Sequence, residues 1–80
     1  MRIEYSDRFR SEYALCPPIV RKACDKQLGF LKNSLNHPSL HAKKYDESLN
    51  LWQARVTLNW RLYFTIEGGA YRLHKLTAHP

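Results

Sequence analysis

A chain of 80 residues cannot divide its apolar side chains between two cores, so residues 1–80 are expected to form one domain, a single sheet with one or two helices. Thirteen Lys and Arg against seven Asp and Glu give a formal charge of +6, a balance that favours polyanions, since neutralised phosphates release their condensed counterions. No apolar run is long enough to span a bilayer, and the first ten residues carry arginines in place of the apolar segment of a signal peptide. Cys16 and Cys24 fit neither a disulfide framework nor the spacing of a zinc or redox pair. Two buried free thiols in a soluble, cytoplasmic protein are expected, with no membrane contact.

The first element is a short strand, because Arg2-Ile3-Glu4-Tyr5 alternates polar and apolar side chains. Ser6 offers an N-cap to a helix from about Asp7 to Leu15, with Phe9, Tyr13 and Ala14 inward. Cys16-Pro17-Pro18 interrupts it, since proline lacks the donor a helix interior needs, and Pro18 suits the first turn of a second helix. There Val20, Cys24, Leu28, Leu31 and Leu35 recur at steps of three and four, and Ile19 and Ala23 widen the stripe. Asn36-His37-Pro38 ends it.

Ser39 to Asn50 is polar and without sustained period, which predicts a loop. His37 and His41 are spaced like helical metal ligands, but Pro38 between them argues against a regular helix and no third ligand is evident, so a surface loop is the better reading and no metal or cofactor is expected. Leu51 to Leu58 then alternates, with Trp52, Ala54, Val56 and Leu58 towards a core and Gln53, Arg55 and Thr57 away from it. Arg61 to Ile66 does the same, with Leu62, Phe64 and Ile66 opposite Arg61, Tyr63 and Thr65. Glu67-Gly68-Gly69-Ala70 is a hairpin turn and Tyr71 to Ala78 the returning strand. The predicted order is β-α-α-β-β-β, an α+β fold with two N-terminal helices packed on one face of a small antiparallel sheet.

Leu51-Trp52-Gln53-Ala54-Arg55-Val56, Trp60-Arg61-Leu62-Tyr63-Phe64 and the late His79 together resemble the RelE/ParE superfamily of bacterial toxins. The segment His37-Pro38-Ser39-Leu40 leading to Lys43-Lys44 also resembles the family's link between second helix and sheet. The resemblance extends over nearly the whole chain in element order. It implies the toxin of a type II toxin–antitoxin system, held inactive by a cognate antitoxin. In the RelE-like branch it implies a metal-independent endoribonuclease, a hydrolase that cuts mRNA, commonly on the ribosome, and that meets DNA only indirectly through the antitoxin. By the same resemblance Arg61 matches the sheet arginine that contacts the scissile phosphate, Arg55 a second and more variable one, and His79 a C-terminal histidine used as acid or base. The alternatives are a ParE-like toxin that inhibits DNA gyrase and a catalytically inactive nucleic-acid-binding module.

These residue types suit RNA cleavage on chemical grounds. The 2′-hydroxyl must lose a proton, the phosphorane-like transition state must be stabilised, and the leaving 5′-oxygen must gain a proton. Imidazole titrates near neutrality and serves either transfer, while guanidinium groups hold two phosphate oxygens and stabilise growing charge. Lys43, Lys44 and Lys75 are available for RNA binding, and Trp60 is a candidate for stacking on bases.

Hairpin register decides whether these residues meet. A two-residue Gly68-Gly69 turn pairs Arg61 with Leu76 and sends His79 to the opposite face. A three-residue loop pairs Arg61 with Thr77 and puts Arg61, Lys75 and His79 together, but turns Leu73 outward. A bulge further along the strand is the third solution.

Overall fold

The computed structural model describes residues 1–79. Its elements are β1 (Arg2–Tyr5), α1 (Asp7–Leu15), α2 (Pro18–Asn33), a 3₁₀ turn (Pro38–Leu40), β2 (Lys43–Asp46), β3 (Leu51–Thr57), β4 (Trp60–Glu67) and β5 (Ala70–Ala78). The five strands form one sheet in the order β1-β5-β4-β3-β2. No helix among the described residues is long and apolar enough to cross a membrane.

The α+β architecture is the expected one, with two differences. The sheet is mixed, because β1 joins its edge parallel to β5. The polar stretch after α2 is also no simple loop: its 3₁₀ turn buries Leu40, and Lys43–Asp46 adds an antiparallel edge strand to β3. An edge strand with one paired side and little burial has no need of apolar alternation, so its sequence carries no periodic signal.

Helix α1 lies along the part of β5 that β1 leaves uncovered. β1 pairs only with Ala70 to Leu73, and beyond that point the β5 edge would carry unpaired backbone groups. Ser6 N–H donates to the Leu73 carbonyl at 3.1 Å, the Ser6 hydroxyl to that of His74 at 3.3 Å, and Leu76 N–H to the Glu12 carboxylate at 2.9 Å. Ser6 also caps the helix, its oxygen accepting from Phe9 N–H at 3.1 Å. The inward face of α1 is therefore Phe9, Tyr13 and the half-buried Glu12, and Ala14 is exposed, contrary to the expectation that it points inward.

In α2 the predicted stripe is buried at Val20, Cys24, Leu28 and Leu31, Ala23 is half-buried, and Leu35 is half-buried just beyond the helix. Ile19 is 76% exposed, and the stripe includes a polar residue, Gln27, at 5% exposure. Gln27 Nε2 donates to the carbonyls of Ser39 at 3.0 Å and Arg55 at 2.8 Å, and its Oε1 accepts from the Ser39 hydroxyl at 2.9 Å. One buried amide thus ties α2 to both the 3₁₀ turn and β3, which a polar group can do at low cost only when fully satisfied.

Cys16 and Cys24 are buried free thiols. Loss of solvation pushes the Cys24 thiol up to about 12 and raises Cys16 as well. Neither thiol is expected to react with a disulfide reagent at pH 8 in the native protein, and both should react in denaturant. The unfolded thiol ionises first, near pH 8.5. The Cys24 contribution to stability is therefore complete below that pH and is lost as pH rises towards 12, which alkaline unfolding of a Cys24→Ala variant against the parent would read.

Candidate active site

Three β-bulges shape the sheet face that the helices leave open. The Gly68-Gly69 turn is the two-residue form, with φ of +54° and +76° and Glu67 opposite Ala70, a backbone that only glycine adopts without strain. The pairing then slips between Tyr63 and Phe64: Phe64 faces Leu73, Tyr63 faces Lys75, and His74 is the extra residue. Arg61 consequently pairs with Thr77, which aligns Lys75, Thr77 and His79 with Arg61. The bulge keeps both Leu73 and Leu76 in the core, at 0% and 1% exposure, so the third register solution is the one adopted.

A second bulge, between Arg55 and Thr57, ends β3 early. Leu58, expected in the core, sits in the β3–β4 turn and is 74% exposed. Arg61 holds this turn: its Nη1 donates to the carbonyls of Thr57 at 2.8 Å, Leu58 at 3.1 Å and Trp60 at 3.0 Å. The backbone N–H of His79 donates to the Asn59 carbonyl of the same turn. That bond anchors the end of β5 beside Arg61.

Between these strands and the segment before β2 lies a cleft of about 390 Å³, lined by His41, Ala42, Lys43, Gln53, Arg55, Arg61 and His79. Four of the predicted residues, Lys43, Arg55, Arg61 and His79, meet here. Lys75 stands nearby on the same face, with its Nζ 4.5 Å from the centre of the Tyr63 ring. Trp60 and Lys44 are elsewhere. Trp60 packs against the core and lines a groove with Glu12, Leu15 and Cys16 on the helical side, as strand parity next to Arg61 requires. Lys44 sits over the Trp52 ring at 5.2 Å and pairs with Glu47 at 3.6 Å.

Among the described residues, the permanently charged side chains that line the cleft are all basic. Arg55 and Arg61 face each other directly across β3 and β4, an arrangement of like charges that destabilises a sheet. The ion pairs among the described residues engage Arg2, Arg8, Lys44 and Arg72, and none of the cleft cations. Arg55 Nε is buried with no acceptor among the described residues, a state that costs on the order of 1–3 kcal/mol. Two guanidiniums on facing residues, one buried donor without a partner among the described residues and a lysine at the rim are chemistry suited to an anion.

His41 is the cleft residue that the sequence reading assigned to a surface loop. It follows the 3₁₀ turn in the left-handed conformation, φ +46°, which costs a residue with a side chain roughly 1–2 kcal/mol. Strain of this kind gathers at functional sites. Its neighbour His37 is structural: the ring stacks on Phe30 at 3.7 Å and its Nδ1 accepts from Ser39 N–H at 3.2 Å.

A mixed sheet with two helices and a cationic cleft at one end of its open face defines the α+β class of this protein. More specifically, the chain has the fold of the RelE/ParE toxins. It superposes on the YoeB/ParE toxin from Agrobacterium tumefaciens with a TM-score of 0.82 at 10% identity over 100% of both chains. YafQ from E. coli matches with a TM-score of 0.81 at 20% identity, over 98% of this chain and 93% of that one. The RelB-RelE antitoxin-toxin complex from Methanococcus jannaschii provides a third match, with a TM-score of 0.79 at 19% identity over 94% and 88%. No family model and no curated protein matches the sequence.

Proposed function

We propose that this chain is the toxin of a type II toxin–antitoxin pair and an endoribonuclease that cuts mRNA in the cytoplasm, free or on the ribosome. The observation that carries this reading is the convergence of Arg55, Arg61 and two imidazoles, His41 and His79, on one cleft whose lining among the described residues includes no carboxylate. The fold shared with RelE and YafQ supports it.

In this reading Arg55 and Arg61 grip the scissile phosphate and stabilise the extra negative charge of the phosphorane. One histidine takes the proton of the 2′-hydroxyl as its oxygen attacks phosphorus. The other gives a proton to the departing 5′-oxygen, so the chemistry runs through proton transfers and needs no metal ion. Lys43 and Lys75 steer the strand. The antitoxin is an acidic protein that covers or displaces this face, since like charges packed together are relieved by a partner of opposite sign.

His41→Gly separates function from fold. Glycine adopts φ near +46° without strain, so the variant should melt at or above the parent temperature while its cleavage rate falls by about 10²-fold or more. A stable variant with undiminished cleavage would remove His41 from the chemistry.

Expression in bacterial cells tests the whole reading. Messenger RNA should fragment within minutes while the chromosome stays intact, and co-expression of the antitoxin should stop it. Accumulating cleaved DNA with intact messengers would favour the gyrase-directed alternative instead.

A further inference from the structure

Beside the row formed by Arg55, Arg61 and Thr77 runs a second row on the same face. Lys43, Gln53, Tyr63 and Lys75 stand opposite one another across β2, β3, β4 and β5. The two rows are two strand residues apart, about 6.8 Å, roughly the step of one nucleotide in an extended single strand. The centre of the second row is filled: Tyr63 is 6% exposed, its hydroxyl accepts from Gln53 Nε2 at 2.9 Å, and Lys75 covers its ring.

Tyr45 leans on this filled centre. Its ring meets Tyr63 edge to face, with centroids 4.9 Å apart and planes at 72°, yet it is 55% exposed. It is also the point at which β2 slips against β3, since Lys44 pairs with Trp52 and Asp46 with Leu51. Two residues beyond Lys43, strand alternation puts this ring on the basic face, where contact with Tyr63 holds it and most of its surface is left to solvent.

We propose that Tyr45 is a stacking platform for one nucleobase of single-stranded RNA, about one to two nucleotides from the phosphate held by Arg55 and Arg61. The proposal rests on the ribonuclease reading and adds its substrate form. A ring held by an edge-to-face neighbour loses little freedom when a base settles on it, and every base has a face to offer, so the contact favours unpaired strands of varied sequence. Lys43 and Lys75, at the two ends of the same row, supply charge for the flanking phosphates. Bases within a duplex are already covered on both faces and cannot use the platform.

The test is equilibrium binding of a fluorescent single-stranded 2′-O-methyl RNA, which cannot be cut, and of an abasic strand of the same length, by the parent, Tyr45→Ala and Tyr45→Phe. Thermal melting of each variant checks the fold. Tyr45→Ala should weaken binding of the base-bearing strand about 10-fold or more. Tyr45→Phe should bind it like the parent, and neither change should alter binding of the abasic strand. Unchanged affinity of Tyr45→Ala, or an equal loss on both strands, overturns the platform and leaves the ribonuclease reading standing. Failure of the parent to bind either strand, with ribosomes supplied as well as without, overturns both.

Discussion

Replacing Arg61 with alanine is expected to lower single-turnover RNA cleavage by roughly 10²- to 10³-fold, the usual cost of removing one donor from a site of developing negative charge. The side chain also holds three carbonyls of the β3–β4 turn through Nη1, so stability should fall too, by about 1–3 kcal/mol. Arg55→Ala separates the two effects. Arg55 faces Arg61 across the sheet and holds no turn, so its removal relieves a like-charge pair and should leave the melting temperature level or raised while cleavage drops. Cleavage at the parent rate by a folded Arg61→Ala protein would show that this arginine only braces the turn. The phosphate grip would then have to be sought elsewhere on the face.

The second large effect belongs to His79. The His79→Ala protein should lose about 10²- to 10⁴-fold in rate, the range expected for a general acid or base. Its stability should be close to that of the parent, because the side chain is exposed and the anchoring bond to Asn59 is made by the backbone. An acid and a base acting together give a bell-shaped pH–rate profile, and the variant should keep only one of its limbs. A full bell at the parent rate would remove His79 from the chemistry.

Much of this was legible in the sequence where burial imposes a period. The Ser6 cap, the break at Pro17-Pro18 and the α2 stripe follow from local geometry, and Arg55 and Arg61 follow from strand parity. The Gly68-Gly69 hairpin left the register open, and with it the place of His79. The signal that resolves it is in the chain: Tyr71 and Leu73 keep one phase, Leu76 and Ala78 the other, and His74 lies where the phase changes. Two apolar phases in one strand mark a bulge.

What was not legible has a different cause in each case. β2 is an edge strand with no buried face to pattern it. Gln27 sits on an apolar stripe but works through hydrogen bonds to the Ser39 and Arg55 carbonyls, long-range contacts that no local rule predicts. Ile19 and Leu58 have core parity but fall at a helix start and in a tight turn, where parity stops being informative. Trp60 was an open candidate for base stacking because aromatic residues suit that role, yet its neighbour Arg61 fixes it on the helical side. His41 enters the cleft through a left-handed residue after a 3₁₀ turn, and the polar stretch gives no hint of either.

The cleft assignment is tested most directly by the fate of an RNA strand with and without its 2′-hydroxyls. Purified protein, with ribosomes supplied in a parallel reaction, should cut the natural strand into fragments with 2′,3′-cyclic phosphate and 5′-hydroxyl ends. It should bind the all-2′-deoxy strand of the same sequence without cutting it, because the attacking oxygen is missing. Cleavage of the 2′-deoxy strand would contradict a mechanism in which His41 and His79 move the protons of a 2′-oxygen attack on a phosphate held by Arg55 and Arg61.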